Sequence, residues 1–407
     1  MNQLLSFASV MKSIGGVVLA VVILLVMVTI HEFGHYIAGK ILGFKINEFA
    51  VGFGPAILKK RSKKTGELFA LRIIPLGGYC AFDGEDEYEE EEEKSQTTEE
   101  PPFEEISQNE GGKVETNEVD EYPEPTGARF NDQPPWKRII VLVAGATMNY
   151  LLALVLILVM FASYGCIHSY IAVYEGKQVE TPAFEEERIG YKDIVLSVDG
   201  KDIYLVSDYI DALTGKKSGE SVEIEILRKD ENGDWQYKAF AYALQADCEC
   251  KNMTDTAPAL LALGLDAETF AFASVTLREG FFQTLGASFV YSGKIGSTVL
   301  RSLGELITGK LGLSAMGGPV TTISVTAQAA SASFLSFLNI ASFIGVNLAV
   351  FNLLPVPALD GCKVIFCIIE WIRKKPLNRK VETIIHFVGI IFLFAFAILV
   401  DLLQMFW

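Results

Sequence analysis

Apolar residues in this chain gather into four runs long enough to cross a bilayer, at 14–42, 139–167, 334–359 and 384–406. Runs of about 18 or more apolar residues predict membrane-spanning helices, and four are therefore expected. The first run far exceeds the apolar core of a signal peptide, so it is expected to stay in the mature chain. Between the runs the pattern changes period. Phe49, Val51 and Phe53 alternate with other residues, and a second alternating arm covers Leu68 to Ile74 beyond a basic turn at Lys59 to Gly66. This period of two predicts a β-hairpin or sheet over 43–82, and non-helical backbone at membrane depth needs protein or water to cover it. From 176 to 244 the pattern is that of an α/β module. A strand and turn are predicted over Ile189 to Gly200, a short helix over Val206 to Leu213, and strands over 221–228 and 235–243 joined at Glu231 to Asp234. Residues 281–311 are interrupted by Lys294, Arg301, Glu305 and Lys310, which suits amphipathic surface helices better than a fifth span.

Lysines and arginines orient the spans. They cluster after the first run (Lys40 to Lys64), before the second (Lys137, Arg138) and between the third and fourth (Arg373 to Lys380). By the positive-inside rule these segments face the cytoplasm, and both termini and the α/β module lie outside. The order and kind of the module's elements resemble a PDZ domain. The expected architecture is a polytopic α-helical membrane protein with four transmembrane helices, a membrane-associated β-hairpin or sheet, and an inserted extracytoplasmic PDZ-like α/β domain. Its expected divisions are a first helix to 42, the hairpin at 43–82, an insertion at 83–135, a second helix at 136–167, the PDZ-like domain at 168–270, amphipathic helices at 271–333, a third helix at 334–372 and a fourth at 373–407.

Composition changes this picture at one place. Half of the 407 residues are hydrophobic, yet the net charge is −16. From Asp83 to Glu124 there are nineteen Asp and Glu against two Lys, which accounts for the whole excess. The acidity therefore marks one solvated, disordered cytoplasmic insertion and gives no general preference for a partner; no nucleic-acid partner is expected. Of six cysteines only Cys248 and Cys250 fall in the outer module, which excludes a disulfide framework.

The candidate chemistry lies in the first span, which carries His31-Glu32-Phe33-Gly34-His35. Helical residues four apart share a face, so His31 and His35 can offer two imidazoles to one zinc ion, with Glu32 as the base that takes a proton from water. Polar groups in hydrocarbon cost several kcal/mol unless paired or metallated, so such a cluster points to function. A catalytic zinc site needs three protein ligands and an open position. The third apolar run ends in Asn352-Leu353-Leu354-Pro355-Val356-Pro357-Ala358-Leu359-Asp360-Gly361, where two prolines break the helix and Asp360 follows. Asp360 is the candidate third ligand; capping of the next helix or pairing with Lys363 is its alternative role.

The chain resembles the site-2 protease family of intramembrane zinc metalloproteases, in the bacterial, PDZ-containing, regulator-of-sigma-factor subgroup. The resemblance rests on His31 to His35, Gly52-Phe53-Gly54-Pro55, Pro75-Leu76-Gly77-Gly78-Tyr79, Trp136-Lys137-Arg138 with Ala144, Gly145 and Asn149, Gly317-Gly318-Pro319-Val320, and Asn352 through Gly361. Two features depart from it: Cys362 stands where a second glycine is usual, and the acidic insertion is additional. The resemblance implies Zn2+ held by His31, His35 and Asp360, catalysis by Glu32, and Asn352 and Asn347 near the substrate backbone. It also implies a multi-pass protein of the bacterial cytoplasmic membrane that cuts single-span membrane proteins, such as anti-sigma factors or signal-peptide remnants, after another protease has trimmed them. The competing class is a non-catalytic membrane scaffold that binds partners through the PDZ-like domain; the complete set of buried polar groups favours the enzyme, since a scaffold has no use for them.

Overall fold

Residues 2–85, 122–313 and 316–406 are described by a computed structural model. Helix α1 (Asn2–Leu42) is apolar on all sides, as a helix surrounded by lipid must be. Strands β1 (Ile46–Arg61) and β2 (Leu68–Phe82) follow, then α2 (Pro135–Tyr164). Strand β3 (Cys166–Val173), β4 (Ile194–Val198), β5 (Lys201–Asp202), α3 (Val206–Leu213), β6 (Ser221–Lys229), β7 (Trp235–Ala243), α4 (Ala257–Ala262) and β8 (Phe270–Leu277) come next. The chain ends with α5 (Phe281–Ile307), α6 (Pro319–Ala332), α7 (Phe334–Asn352), α8 (Asp360–Arg373) and α9 (Arg379–Phe406). Among the described residues four helices are long and apolar enough to cross a membrane: Ile14–Leu42 within α1, then α2, α7, and Arg379–Gln404 within α9. Helix α5 is not among them. This is a multi-pass membrane protein with β-sheet structure.

The chain divides into two units, one of residues 1–151 with 351–398 and the other of 152–350 with 399–407. In the first unit β1 and β2 do not form a simple hairpin. The first half of β1 meets both ends of β2: Glu48 is registered with Ala81 and Leu68, and Val51 with Gly78 and Leu71. Segment 48–51 is thus flanked on both sides, and the ribbon bends at Gly52 and Gly77, both at positive φ. A side chain at Gly77 would also strike the Phe53 ring, since its Cβ would stand 2.0 Å from that ring. Phe44, Ile46, Phe82, Phe130, Val141 and Leu142 form the core of this unit. Arg138 of α2 forms a buried ion pair with Glu370 of α8, and Glu370 also accepts from the Leu377 backbone N–H.

Four expectations need correction, three of them here. The insertion expected over 83–135 is packed at both of its described ends. Phe130 is buried against Phe44 and Phe82, its N–H donates to Asp83 O at 2.7 Å, and Lys363 pairs with Glu85 at 2.7 Å. Apolar burial of Phe130 draws this end back into the core; residues 86–121, to which the expected disorder also applies, lie outside the described residues. The second helix stops at Tyr164 instead of reaching 167, because Gly165 takes φ +102° and its N–H closes the last turn on Phe161 O. The third helix stops at Asn352, where the prolines of 355 and 357 forbid its continuation.

In the second unit the sheet runs β7-β6-β4-β3-β8, with β5 on β4, all antiparallel. The expected boundary at 270 falls at the start of β8, which pairs with β3 from Cys166↔Leu277 to Val173↔Phe270 and belongs to the sheet. Helix α3 forms over the residues expected, with Asp208 Oδ2 accepting from Tyr204 and Leu205 N–H at 2.8 Å. Ile224, Ile226, Tyr209 and Leu213 are buried in the core between sheet and helix. Fully buried Arg228 pairs with Asp193 at 2.6 Å and donates to the carbonyls of Ala183, Glu186 and Arg188, so one side chain fastens that loop to β6.

Candidate metal centre

His31 and His35 stand one turn apart on α1, and their imidazoles leave the same face. Their Nε2 atoms are 3.1 Å apart. Asp360 Oδ2, from the first residue of α8, lies 3.0 Å from His31 Nε2 and 3.3 Å from His35 Nε2. Among the described residues this is the one cluster of three such ligand atoms, and no other group bonds to that Asp360 oxygen. Tetrahedral ligands at about 2.0–2.1 Å from zinc lie roughly 3.3 Å from one another, close to the spacing here.

The proton positions agree with that fit. His35 Nδ1 is 2.8 Å from Val141 O; a carbonyl only accepts, so Nδ1 carries the proton and Nε2 keeps its lone pair for the centre. His31 Nδ1 faces two side-chain amides, Asn149 at 3.3 Å and Asn352 at 3.4 Å. Asn149 is buried and its Oδ1 has no other partner; a half-turn of that amide gives the oxygen the Nδ1 proton and frees Nε2 of His31 in turn. Small residues bring these groups together. A Cβ on Gly34 would lie 2.5 Å from Ala144 O, and one on Gly145 would lie 2.4 Å from His35 Nε2 and 2.8 Å from His31 Cε1. Helices α1 and α2 approach this closely only because both positions are glycine.

Glu32 projects from the same turn into a cavity of about 600 Å³ lined also by His35, Asp360, Tyr79, Glu85 and Lys363. It is held near the sheet: the Cβ position of Gly78 is 3.3 Å from Glu32 Cγ. A carboxylate beside three converging lone pairs, in a space large enough for water, is the arrangement that metal-assisted hydrolysis requires.

Residues 19–396 match peptidase family M50. The chain belongs to that family. Among its relatives, a zinc metalloprotease RasP of Bacillus licheniformis is 25% identical, with 90% of this chain and 93% of the relative covered. The regulator of sigma-W protease RasP of Bacillus subtilis is 25% identical over 93% of this chain and 95% of its own length. The zinc metalloprotease RasP of Oceanobacillus iheyensis is also 25% identical, over 92% and 95%. The site-2 protease resemblance carried by His31 to His35 and Asn352 to Gly361 thus extends along nearly the whole M50 chain.

Of the residues singled out from sequence, His31, Glu32, His35, Asn352 and Asp360 come together in one place. Asn347 donates its amide to Phe343 O at 2.8 Å, one turn back on its own helix. Sequence reasoning did not find Val141 O, because a backbone carbonyl carries no residue signature. It also missed Lys363 as a lining residue of the cavity that Glu32 enters, although its place three residues after Asp360 put it one helical turn from that ligand.

Proposed function

We propose that this chain is a zinc-dependent endopeptidase that cuts the membrane-spanning segments of other proteins. The observation that carries the reading is the convergence of His31 Nε2, His35 Nε2 and Asp360 Oδ2 beside Glu32, in a span of an M50 chain. His31, His35 and Asp360 would hold the ion, and bound zinc supplies Lewis-acid chemistry that acidifies water and polarises a peptide carbonyl. Glu32 accepts the proton of the attacking water on its carboxylate and returns it to the departing amine. The cavity beside Glu32 admits that water.

A helical substrate hides its carbonyls in i to i−4 hydrogen bonds and must be unwound at the cut. Among the described residues segment 78–82 is registered only with 46–51, which leaves its other edge for an extended strand, and Gly78 and Tyr79 lie beside Glu32. Asn352, whose amide lies 3.4 Å from His31 Nδ1, holds the unwound backbone. The sheet of β3 to β8 with helix α3 supports the PDZ-like reading of the outer module. The substrates are single-span membrane proteins of the anti-sigma-factor kind, trimmed beforehand by another protease; a relative named as a regulator of sigma-W supports this class. The basic clusters support a topology with both termini on the outer side of the cytoplasmic membrane.

Glu32→Gln tests the reading, because it removes the base and no ligand. In purified protein the variant should keep its zinc and lose about 100-fold or more in cleavage, as loss of a general base does. His35→Ala should lose zinc as well. Loss of zinc in Glu32→Gln would move Glu32 into the coordination shell and reject its role as base.

A further inference from the structure

We infer that His386, on α9, is a positioning residue for the Asp360 carboxylate: it holds the left-handed turn at Ala358 from which α8 departs. The inference rests on the zinc reading above and adds a residue to it. The link between α7 and α8 contains Pro355 and Pro357, which have no N–H to give. Three of its other donors bond locally: Leu354 N–H goes to Phe351 O, Val356 N–H to Leu354 O and Leu359 N–H to Val356 O. Ala358 N–H instead leaves the link, donating to His386 Nδ1 at 3.1 Å. Because an N–H can only donate, Nδ1 of that ring carries its lone pair here.

Ala358 has φ +80°, a conformation that costs an alanine and not a glycine. Such a turn persists where its surroundings hold it. Two groups on one face of α9 do so. His386 takes the N–H, and Gly389, three residues on, lets the helix close upon the link, since a Cβ there would lie 2.4 Å from Pro357 Cβ and 2.7 Å from its carbonyl carbon. Phe366 of α8 meets the His386 ring edge-on at 5.7 Å and fixes its plane. Asp360 is two residues beyond the turn. Relaxation of Ala358 to negative φ rotates the following peptides and carries the carboxylate away from the imidazoles.

The test is zinc affinity of the full chain in detergent, measured by competition with a chelator. His386→Leu should weaken binding about tenfold or more, the scale of an outer-shell loss, while His386→Asn, whose Oδ1 accepts near the place of Nδ1, should stay within about threefold of wild type. Adding Ala358→Gly to His386→Leu should recover most of the loss, because glycine holds positive φ unaided. Wild-type affinity in His386→Leu overturns the inference, and so does a loss that Ala358→Gly does not recover, since packing alone would then explain it. Absence of zinc from wild type would reject the metal reading instead. Hydrogen exchange of the Ala358 amide then judges the turn by itself: faster exchange in His386→Leu supports it, and unchanged exchange overturns it.

Discussion

At the scale of single residues, the two histidines are oriented by different means. His35 gives its Nδ1 proton to a backbone carbonyl that mutation cannot remove, whereas His31 depends on side-chain amides. The partner of His31 is therefore the more vulnerable. Asn149→Leu keeps the volume but removes an amide whose buried Oδ1 has no other partner among the described residues. Loss of an outer-shell partner typically costs about 10–100-fold in metal affinity, and that fall is expected here with helix content unchanged. Chelator competition on wild type and Asn149→Leu measures it; equal affinities would leave Asn352 as the partner of His31. The lone pairs on Nε2 were legible from H-E-x-x-H, since four-residue spacing on a helix is local geometry. The amides were half legible: Asn149 was among the residues that carry the family resemblance, with Ala144 and Gly145, but no pattern announces which ring nitrogen it meets.

At the scale of elements, the glycines of α1 and α2 decide whether the site can assemble. Gly145→Ala puts a methyl group 2.4 Å from His35 Nε2, and its neighbours are ring atoms pinned by their own hydrogen bonds. The imidazoles must move, so zinc stoichiometry should fall well below that of wild type. Gly15→Ala on the same span meets nothing within 4 Å and serves as the control, gaining roughly 0.5–1 kcal/mol from helix propensity. Zinc analysis with circular dichroism separates the outcomes: full zinc in Gly145→Ala would mean that the helices can move apart without loss of the site. Spans and α3 were legible because hydrophobic length and period report them directly. The fold of β1 and β2 was not. Alternation along the chain identifies strands, but which segments pair depends on bends at Gly52 and Gly77, and Glu48 with partners on both sides has no one-dimensional trace. The end of α7 was placed too late because residues 353–359 remain apolar after the prolines have stopped the helix.

At the scale of the whole molecule, the net charge of −16 and the candidate metal centre belong to separate parts of the chain. Residues 86–121 contain sixteen acidic residues and two lysines, nearly all of the excess. The chain that follows this segment packs back on the chain that precedes it: Phe130 N–H donates to Asp83 O at 2.7 Å, and the Asn131 amide donates to Gly84 O. Phe130 is anchored in the core that also contains Val141, whose carbonyl orients His35. Replacing 86–121 by a Gly/Ser linker long enough to join Glu85 to Tyr122 should therefore leave these flanking contacts in place. Zinc content and cleavage of a membrane-embedded substrate are expected within about twofold of wild type, since a segment this acidic and poor in apolar residues contributes no packed core. Extending the deletion to include Phe130 should instead destabilise the protein by about 3–5 kcal/mol, the usual cost of emptying a buried phenylalanine site. Thermal unfolding, zinc analysis and cleavage by both deletions give the comparison. If the shorter deletion alone abolished cleavage with zinc retained, residues 86–121 would have to act on the substrate, and the acidic segment would be part of the enzyme's recognition surface.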